Sequence, residues 1–414
     1  FFNHKPASEI LSGLVGSEMC IRDSVAVGAL ALDANTTAHE NTAIGYLTLS
    51  ANTTGAANTA LGAAALRNNT TAANNTAIGR TAMQSNTTGE NNTAVGKEAL
   101  KVNTTGHSNV AVGALSLDAN TTGNHNTGVG IHTLSANTTG GDNIAVGDYA
   151  LYNNTTASNN TAVGSDAMIA NTTGTRHVAV GAAALDANTT GSHNDAVGYA
   201  ALTTNTTASY NIAIGDSAMG SNTTGASNVA IGQDALGNNT TASANIAIGR
   251  NAALTNTTGS SLVAMGYGAL QSNTTGSNNT AYGWRALALN TTGITNCSFG
   301  RASLDSCTTG SYNNSFGYEA CTQITTANYN VAMGTFAGYS LTTGSTNTFM
   351  GYQAGHYSTP ITTGHDNTCL GAYAHANANA ANGQIVIGYN TLGNGNRTAT
   401  FGYASDDTSV SLGS

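Results

Sequence analysis

The stretch "LDANTTGNHNTGVGIHTLSANTTGGDNIAVG", Leu117–Gly147, writes Asn-Thr-Thr-Gly twice, first at Asn120 and again at Asn137, a step of 17. The glycines that close "GVG" and "AVG", Gly130 and Gly147, keep the same spacing. Extended outward, the pattern runs through Gly28, Gly45, Gly62, Gly79, Gly96, Gly113, Gly130 and Gly147 to Gly351, 20 consecutive glycines with no insertion or deletion. The next glycine in phase is Gly371, after a three-residue insertion around "STPI". Gly388 follows at a step of 17, and Gly402 at a step of 14. The consensus coil is N-T-A-[IV]-G-x-x-A-L-x-x-N-T-T-G-x-x, with this glycine at position 5.

A fixed period of 17 is too short for paired-helix repeats, which need roughly 30 residues or more. It fits one coil of an all-β parallel β-solenoid, with two short strands and two corners per coil. The absence of slippage supports this, because a one-residue slip turns every side chain to the wrong face. No proline occurs from residue 25 to residue 359, and Pro360 sits in the single insertion. A coil inside a stack needs its N–H groups for its neighbours, which excludes proline. About 22 coils at ~4.8 Å each would make a rod on the order of 100 Å long. Regular coils are expected over 25–357 and irregular, capping coils over 358–414.

Comparing coils suggests which way side chains face. Position 4 is always apolar (Ile44, Leu61, Ile78, Val95, Val112) and enlarges to Met265, Tyr282, Phe299, Phe316, Met333 and Met350. It reads as a core column. Position 9 reads as a second one (Leu32, Leu49, Leu66, Met83, Leu100, Leu117), shrinking to Cys321, Gly338 and Gly355 where position 4 grows. Such an exchange would conserve volume between facing columns. Position 8 is small. The unvarying glycine at position 5 implies positive φ or no room for a Cβ. Charges such as Lys97, Glu98, Asp118, Asp148 and Arg250 should face water, and Asp195 implies that position 2 is half-buried.

The composition narrows the function. Charged residues are 7% of the chain and the formal charge is −9, with no cluster of Lys or Arg. Typical globular chains carry roughly 25% charged residues. Nucleic acid is therefore not an expected partner. No apolar run reaches the ~18 residues of a membrane span, so no membrane insertion is expected of this segment. Residues 1–24, "FFNHKPASEILSGLVGSEMCIRDS", share nothing with the repeat and resemble translated sequencing-adaptor read-through. They are read as a non-native leader.

"NTAIG", "NVAVG" and "NIAIG", each followed by x-x-A-L, resemble the head repeats of YadA-like trimeric autotransporter adhesins, here lengthened from a period of 14 to one of 17. The step of 14 from Gly388 to Gly402 matches that family's own spacing. "NTFMGYQAG" (Asn347–Gly355) and the NTTG spacers are similar to bacterial and phage tail-fibre-like repeat proteins. The resemblance covers about residues 25–403. It implies a left-handed β-roll that trimerises.

Asn-Thr-Thr is formally a glycosylation sequon. It recurs in 16 coils from Asn35 to Asn290, and the Asn then gives way to Cys307, Ile324 and Leu341. Apolar substitutes imply that the position points inward. Asn35, Asn52, Asn69, Asn86, Asn103, Asn120, Asn137 and Asn154 are therefore read as rungs of a structural amide ladder. Of each Thr pair (Thr36 and Thr37, Thr53 and Thr54, Thr104 and Thr105, Thr121 and Thr122), adjacent strand residues face opposite ways. One outward Thr column is expected, a second arising if position 2 joins it; such columns could carry glycans or order water against ice. The histidines (His39, His107, His125 and His193 among them) are read as solvated loop residues without metal-ligand spacing. Cys307, Cys321 and Cys297 are read as buried small hydrophobes. No catalytic constellation, cofactor motif or metal site is expected.

The functional expectation is a structural extracellular or cell-surface rod, or a virion fibre: an adhesin shaft or filament. Its expected partners are further copies of the chain, as homotrimer or filament, and a surface receptor, glycan or ice. The alternative is an ice-binding protein using stacked Thr.

Overall fold

A computed structural model describes residues 24–402 and 408–411. The expected leader lies outside the described residues except for Ser24, which stands at position 1 of the first coil and whose Oγ accepts a hydrogen bond from the Asn41 N–H. Ser24 thus belongs to the repeat.

The protein is a parallel β-solenoid built on a 17-residue coil, and no helix occurs among the described residues. Each coil contributes one short strand, made by positions 2–4. The strands run from β1 (Val25–Val27) and β2 (Thr42–Ile44) to β22 (Ile385–Ile387) and β23 (Thr398–Phe401). Each pairs in parallel with the same positions one coil away: Thr42 with Thr59, Ala43 with Ala60, Ile44 with Leu61. β24 (Thr408–Ser411) pairs antiparallel with β23 and ends the parallel ladder. The expected second strand per coil is absent. The rest of each coil bends too often to be extended, because positions 7, 9 and 17 adopt positive φ, as at Leu47 (φ 55), Leu49 (φ 51) and Ala57 (φ 56).

The burial pattern corrects the reading of position 4. The strand presents its middle residue inward: Ala43, Ala60 and Ala77 are fully buried. Positions 2 and 4 both point out, since alternate strand residues share a face. Ile44 is 38% exposed, Val129 37%, and even Phe316 37%. The core consists of position 3 (Ala), positions 8 and 9 (small residue, Leu) and two Asn columns. The enlargement of position 4 towards the C-terminus is therefore surface, and the core compensation comes from position 3. Phe349 replaces its Ala, is fully buried, and lies where a Cβ on Gly338 or Gly355 would collide with its ring. Gly128 is the converse: a Cβ there would stand 2.6 Å from Ser116 Oγ and 2.8 Å from Thr133 Oγ1, and those hydroxyls bond each other at 2.7 Å instead.

The glycine at position 5 is required twice over. Gly147 has φ 123, and a Cβ on it would meet the backbone of Gly164 at 2.6 Å. Position 15 has no positive φ and alternates between Gly and Ala, but not freely. In a Gly coil both Thr N–H groups donate to one carbonyl of the next coil, as Thr53 (2.9 Å) and Thr54 (3.3 Å) do to Thr70. In the Ala72 coil only Thr70 bonds onward, to Thr87 at 3.2 Å. A Cβ on Gly55 would stand 2.1 Å from the carbonyl oxygen of Ala72, so the Ala coils open slightly at this corner.

Left-handed φ costs an L-residue about 1–2 kcal/mol, and β-branched residues suffer most. Position 9 accordingly holds Leu, Met, Ala, Cys or Gly through the regular coils and never Val or Ile. Leu151 (φ 53, fully buried) tests this. Leu151→Met should cost less than about 1.5 kcal/mol, whereas Leu151→Ile should cost about 2 kcal/mol or more despite equal volume. Hydrogen-exchange protection of the surrounding coils measures the difference.

Candidate functional site

The predicted Asn rungs at position 12 lie inside the rod. Asn52, Asn69, Asn86, Asn103, Asn120, Asn137 and Asn154 are fully buried, and Asn35, in the first coil, is half-buried. Asn69 Nδ2 donates to Asn52 Oδ1 of the preceding coil (2.9 Å) and to the Ala72 carbonyl of its own coil (2.9 Å). The ladder continues to Asn290, whose Oδ1 is buried without a partner because Cys307 takes the next place. The Cys307 thiol donates to the Gly310 carbonyl, replacing the bond that Asn makes within its own coil. A sequon Asn whose Nδ2 is buried and twice donated has no room for a glycan in the folded rod.

A second Asn ladder, missed in the sequence, runs at position 1. Asn58 Nδ2 donates to Asn41 Oδ1 (3.2 Å) and to the Ala72 carbonyl (2.9 Å), and its backbone N–H also donates to Asn41 Oδ1 (2.9 Å). Both ladders therefore converge on one carbonyl per coil, that of position 15. Substitution by Leu262 was the available sign that position 1 faces inward, as Leu341 was for position 12.

The Thr pair divides its roles. Thr53 is half-buried, and its Oγ1 donates to the Thr70 carbonyl at 3.1 Å; Thr104 and Thr121 repeat this at 3.0 and 2.9 Å. Thr36 does the same at 3.1 Å although exposed. Thr37, Thr54, Thr105 and Thr122 are exposed, forming one outward column. A third polar column lies at position 16, where Ser158 Oγ accepts from Gly141 N–H and Asn124 Oδ1 accepts from His107 N–H.

The remaining expected residues are placed as follows. The backbones of Gly28, Gly45, Gly62, Gly79, Gly96, Gly113, Gly130 and Gly147 stack on one another, each with positive φ. Lys97, Asp148 and Arg250 face water. Glu98 and Asp118 are half-buried instead: Ser135 Oγ donates to the Asp118 carboxylate, and Glu98 is held below its ordinary value, chiefly by its Lys101 hydrogen bond. Cys307, Cys321 and Cys369 are buried free thiols; burial pushes Cys307 and Cys369 up to about 12 and Cys321 up as well. Cys297 occupies the outward position 2 and is only half-buried, a correction to its reading as core. His177 corrects the reading of histidines as solvated loop residues. It replaces Asn at position 1 and is 1% exposed. Its Nε2 lies 2.7 Å from the Gly191 carbonyl, and its Nδ1 accepts from the Asn194 N–H at 3.1 Å.

Among the described residues no group of three His, Cys, Asp or Glu could hold a metal. A shallow cavity of about 470 Å³ is lined by His365, Asp366, Asn382, Gly383, Asn396 and Arg397. The Asp366 carboxylate there is engaged by Thr346 Oγ1 (2.5 Å) and His365 Nδ1 (2.7 Å), which hold it below its ordinary value. No helix is long and apolar enough to cross a membrane among the described residues.

The feature with the largest binding potential is the strand face. Position 4 gives an unbroken apolar column along the ladder, Val, Ile or Leu in most coils and then Met265, Tyr282, Phe299 and Phe316. Position 2 runs beside it as a mixed column, aliphatic at residues such as Val110, Ile144 and Ile212 and Thr at residues such as Thr42, Thr59 and Thr76. The rings of Tyr282, Phe299 and Phe316 stack at 5.9 and 5.2 Å. Comparison with known protein families and with curated proteins gives no match.

Two outcomes follow from the ladders. Asn137→Ala should destabilise the local coils by about 1–3 kcal/mol, because it leaves neighbouring amide groups unpaired, and Asn137→Leu should cost less, an apolar side chain filling the space as Leu341 does. Hydrogen exchange reads both. Burial lowers the His177 value, outweighing the backbone hydrogen bonds with Gly191 and Asn194 that raise it; of the nearby charges, His193 lowers it and Asp195 raises it. The neutral ring's contribution is thus complete above the ordinary histidine value of 6.5 and is lost as pH falls below it. Coils around residue 177 should lose protection between about pH 7 and pH 5, and His177→Asn should abolish that loss.

Proposed function

We propose that this chain is a structural rod, a shaft of an extracellular fibre or adhesin, that works by associating with further copies of itself along the strand face. The observation that carries this reading is the outward orientation of positions 2 and 4. Over about 22 coils these two columns make a strip of roughly 700 Å² in projection, from ~4.8 Å per strand and ~7 Å between alternate residues, apolar throughout at position 4 and divided between aliphatic residues and Thr at position 2. Soluble monomers rarely expose contiguous apolar patches beyond a few hundred Å². A stable protein interface takes about 800 Å² from each partner, a comparable area. The strip is repetitive and nearly free of charge, Asp195 being the exception, which suits another copy in the same register.

Rod function needs stiffness and resistance to proteolysis. Both arise from backbone bonds between coils, backed by two Asn ladders and a Thr hydroxyl ladder. The ice-binding alternative is less well supported. The position-13 hydroxyls are committed to carbonyls, one Thr column alone is exposed, and position 2 mixes Thr with Val, Ile and Asp195.

Light scattering of the purified chain should give a multiple of 41.3 kDa. The double variant Val146→Lys, Ile214→Lys places charges on the strip without touching the core. It should yield a folded species smaller by at least one protomer at equal concentration. A monomeric wild-type chain would contradict the reading, and ice-crystal shaping at micromolar protein would favour the alternative.

A further inference from the structure

The aromatic residues are distributed unevenly. Before residue 260 they are scattered; after it they join into a ribbon on the corner that follows the strand, at positions 6, 7 and 10, bordering the strip proposed for self-association. Tyr267 stacks on Trp284 (6.4 Å, 12° between planes). The Arg301 guanidinium lies 4.7 Å over the Trp284 ring and 5.2 Å over Tyr318. Tyr318 meets Phe336 edge-on at 5.4 Å, and Phe336 meets Tyr352 at 6.4 Å. Tyr352 and Tyr373 are 5.3 Å apart, and Tyr373 and Tyr389 5.7 Å. The ribbon thus advances one planar group per coil across eight coils, roughly 35 Å at ~4.8 Å per coil.

We infer that this ribbon is a binding surface for an extended neutral polysaccharide. This deepens the adhesin part of the reading above by naming the ligand and its site. Four observations select that chemistry. First, the groups are amphipathic: Tyr and Trp offer an apolar ring and a polar tip. Trp284, Tyr267, Tyr352 and Tyr389 remain between 42% and 48% exposed. A pyranose has the matching surface, a face of C–H groups and a rim of hydroxyls. Second, hydrogen-bonding groups flank the rings. Arg285 binds Asp305 through Nε and Nη2, both at 3.2 Å; Arg301 reaches the Tyr318 hydroxyl at 2.6 Å; Gln353 Nε2 donates to the Tyr352 hydroxyl at 3.2 Å. These are planar donors and acceptors suited to sugar hydroxyls. Third, the ribbon advances by one coil at each step, ~4.8 Å, a repeat close to the length of one extended sugar unit. Fourth, the charge argues against the other linear polymer that stacks on aromatics. Single-stranded nucleic acid needs a positive groove, whereas Arg285 and Arg301 are matched by Asp305 and Glu319, and the chain carries −9 overall.

Trp284 is the only tryptophan of the chain, so its fluorescence reports on the ribbon directly. The intact protein is titrated with neutral linear hexasaccharides: β-1,4-glucan, β-1,3-glucan, α-1,4-glucan and chitin oligomers. Saturable quenching or a spectral shift with at least one of them is expected. Binding by calorimetry should weaken more than tenfold in Tyr318→Ala, Tyr352→Ala, while scattering mass and thermal midpoint stay as in the wild type. No saturable response to any hexasaccharide would overturn the inference, as would undiminished binding in the double variant or preferential binding of an oligo-dT strand. Loss of assembly in that variant without glycan binding would assign the ribbon to contact between copies and overturn it too. A monomeric wild type that still binds glycan would sink the self-association reading and leave this one standing.

Discussion

One carbonyl per coil holds the rest of the structure in place. The position-15 oxygen receives Nδ2 hydrogens from two asparagines of its own coil, those of positions 1 and 12, as Gly55 does from Asn41 and Asn52 at 2.9 Å each. These bonds close each coil, and the same two side chains reach across to the neighbouring coil. Coil length is therefore set by side chains buried in the rod. The insertion near Pro360 shows how strong the constraint is. In that coil Asn347 still donates to the Gly364 carbonyl at 2.9 Å, although the two stand 17 apart in the chain instead of 14. The three added residues loop out, and the closure survives.

The buried amides explain how a rod with so little apolar volume stays folded. Its core is mainly Ala, Leu and Asn, and an unpaired amide inside it would cost about 1–3 kcal/mol. Stacking identical coils satisfies each such group with a copy of itself, so each added coil supplies the partner the last one lacked. The exceptions fall where the repeat begins or changes: Asn35 Oδ1 in the first coil, the Asn290 Oδ1 orphaned beside Cys307, and the His177 ring filling an Asn place. Against this gain stand three left-handed residues per coil, which tighten the corners and exclude Val and Ile from position 9.

Much of this was legible in the residues. The unbroken count of 17 announced the solenoid and its parallel register. Glycine at position 5 pointed to positive φ, and Cys307, Ile324 and Leu341 turned the position-12 Asn inward. Position 4 misled because an apolar column normally means a core. Its growth to Tyr282 and Phe299 beside a persistently small residue at position 3 was the contrary sign: a column free to enlarge that far has open space in front of it. The second strand failed because left-handed residues at positions 7 and 9 break the extended conformation, although their N–H groups still bond to the neighbouring coils, as Leu47 does to Ala29 and Leu49 to Ala65; only the missing Val and Ile at positions 7, 9 and 17 betrayed them. The aromatic ribbon depends on positions 6, 7 and 10 sharing one corner, which needs the fold before it can be seen.

The outward strand face is the claim on which the functional account rests, and a cryo-electron microscopy map of the assembled protein tests it most directly. The account predicts rods with one coil per ~4.8 Å, in which side chains of positions 2 and 4, such as Val146 and Ile214, meet those of another copy while Ala145 and Ala213 point into each coil's own core. A map placing Val146 and Ile214 inside the coil, or showing copies joined through the Thr column instead, would contradict it.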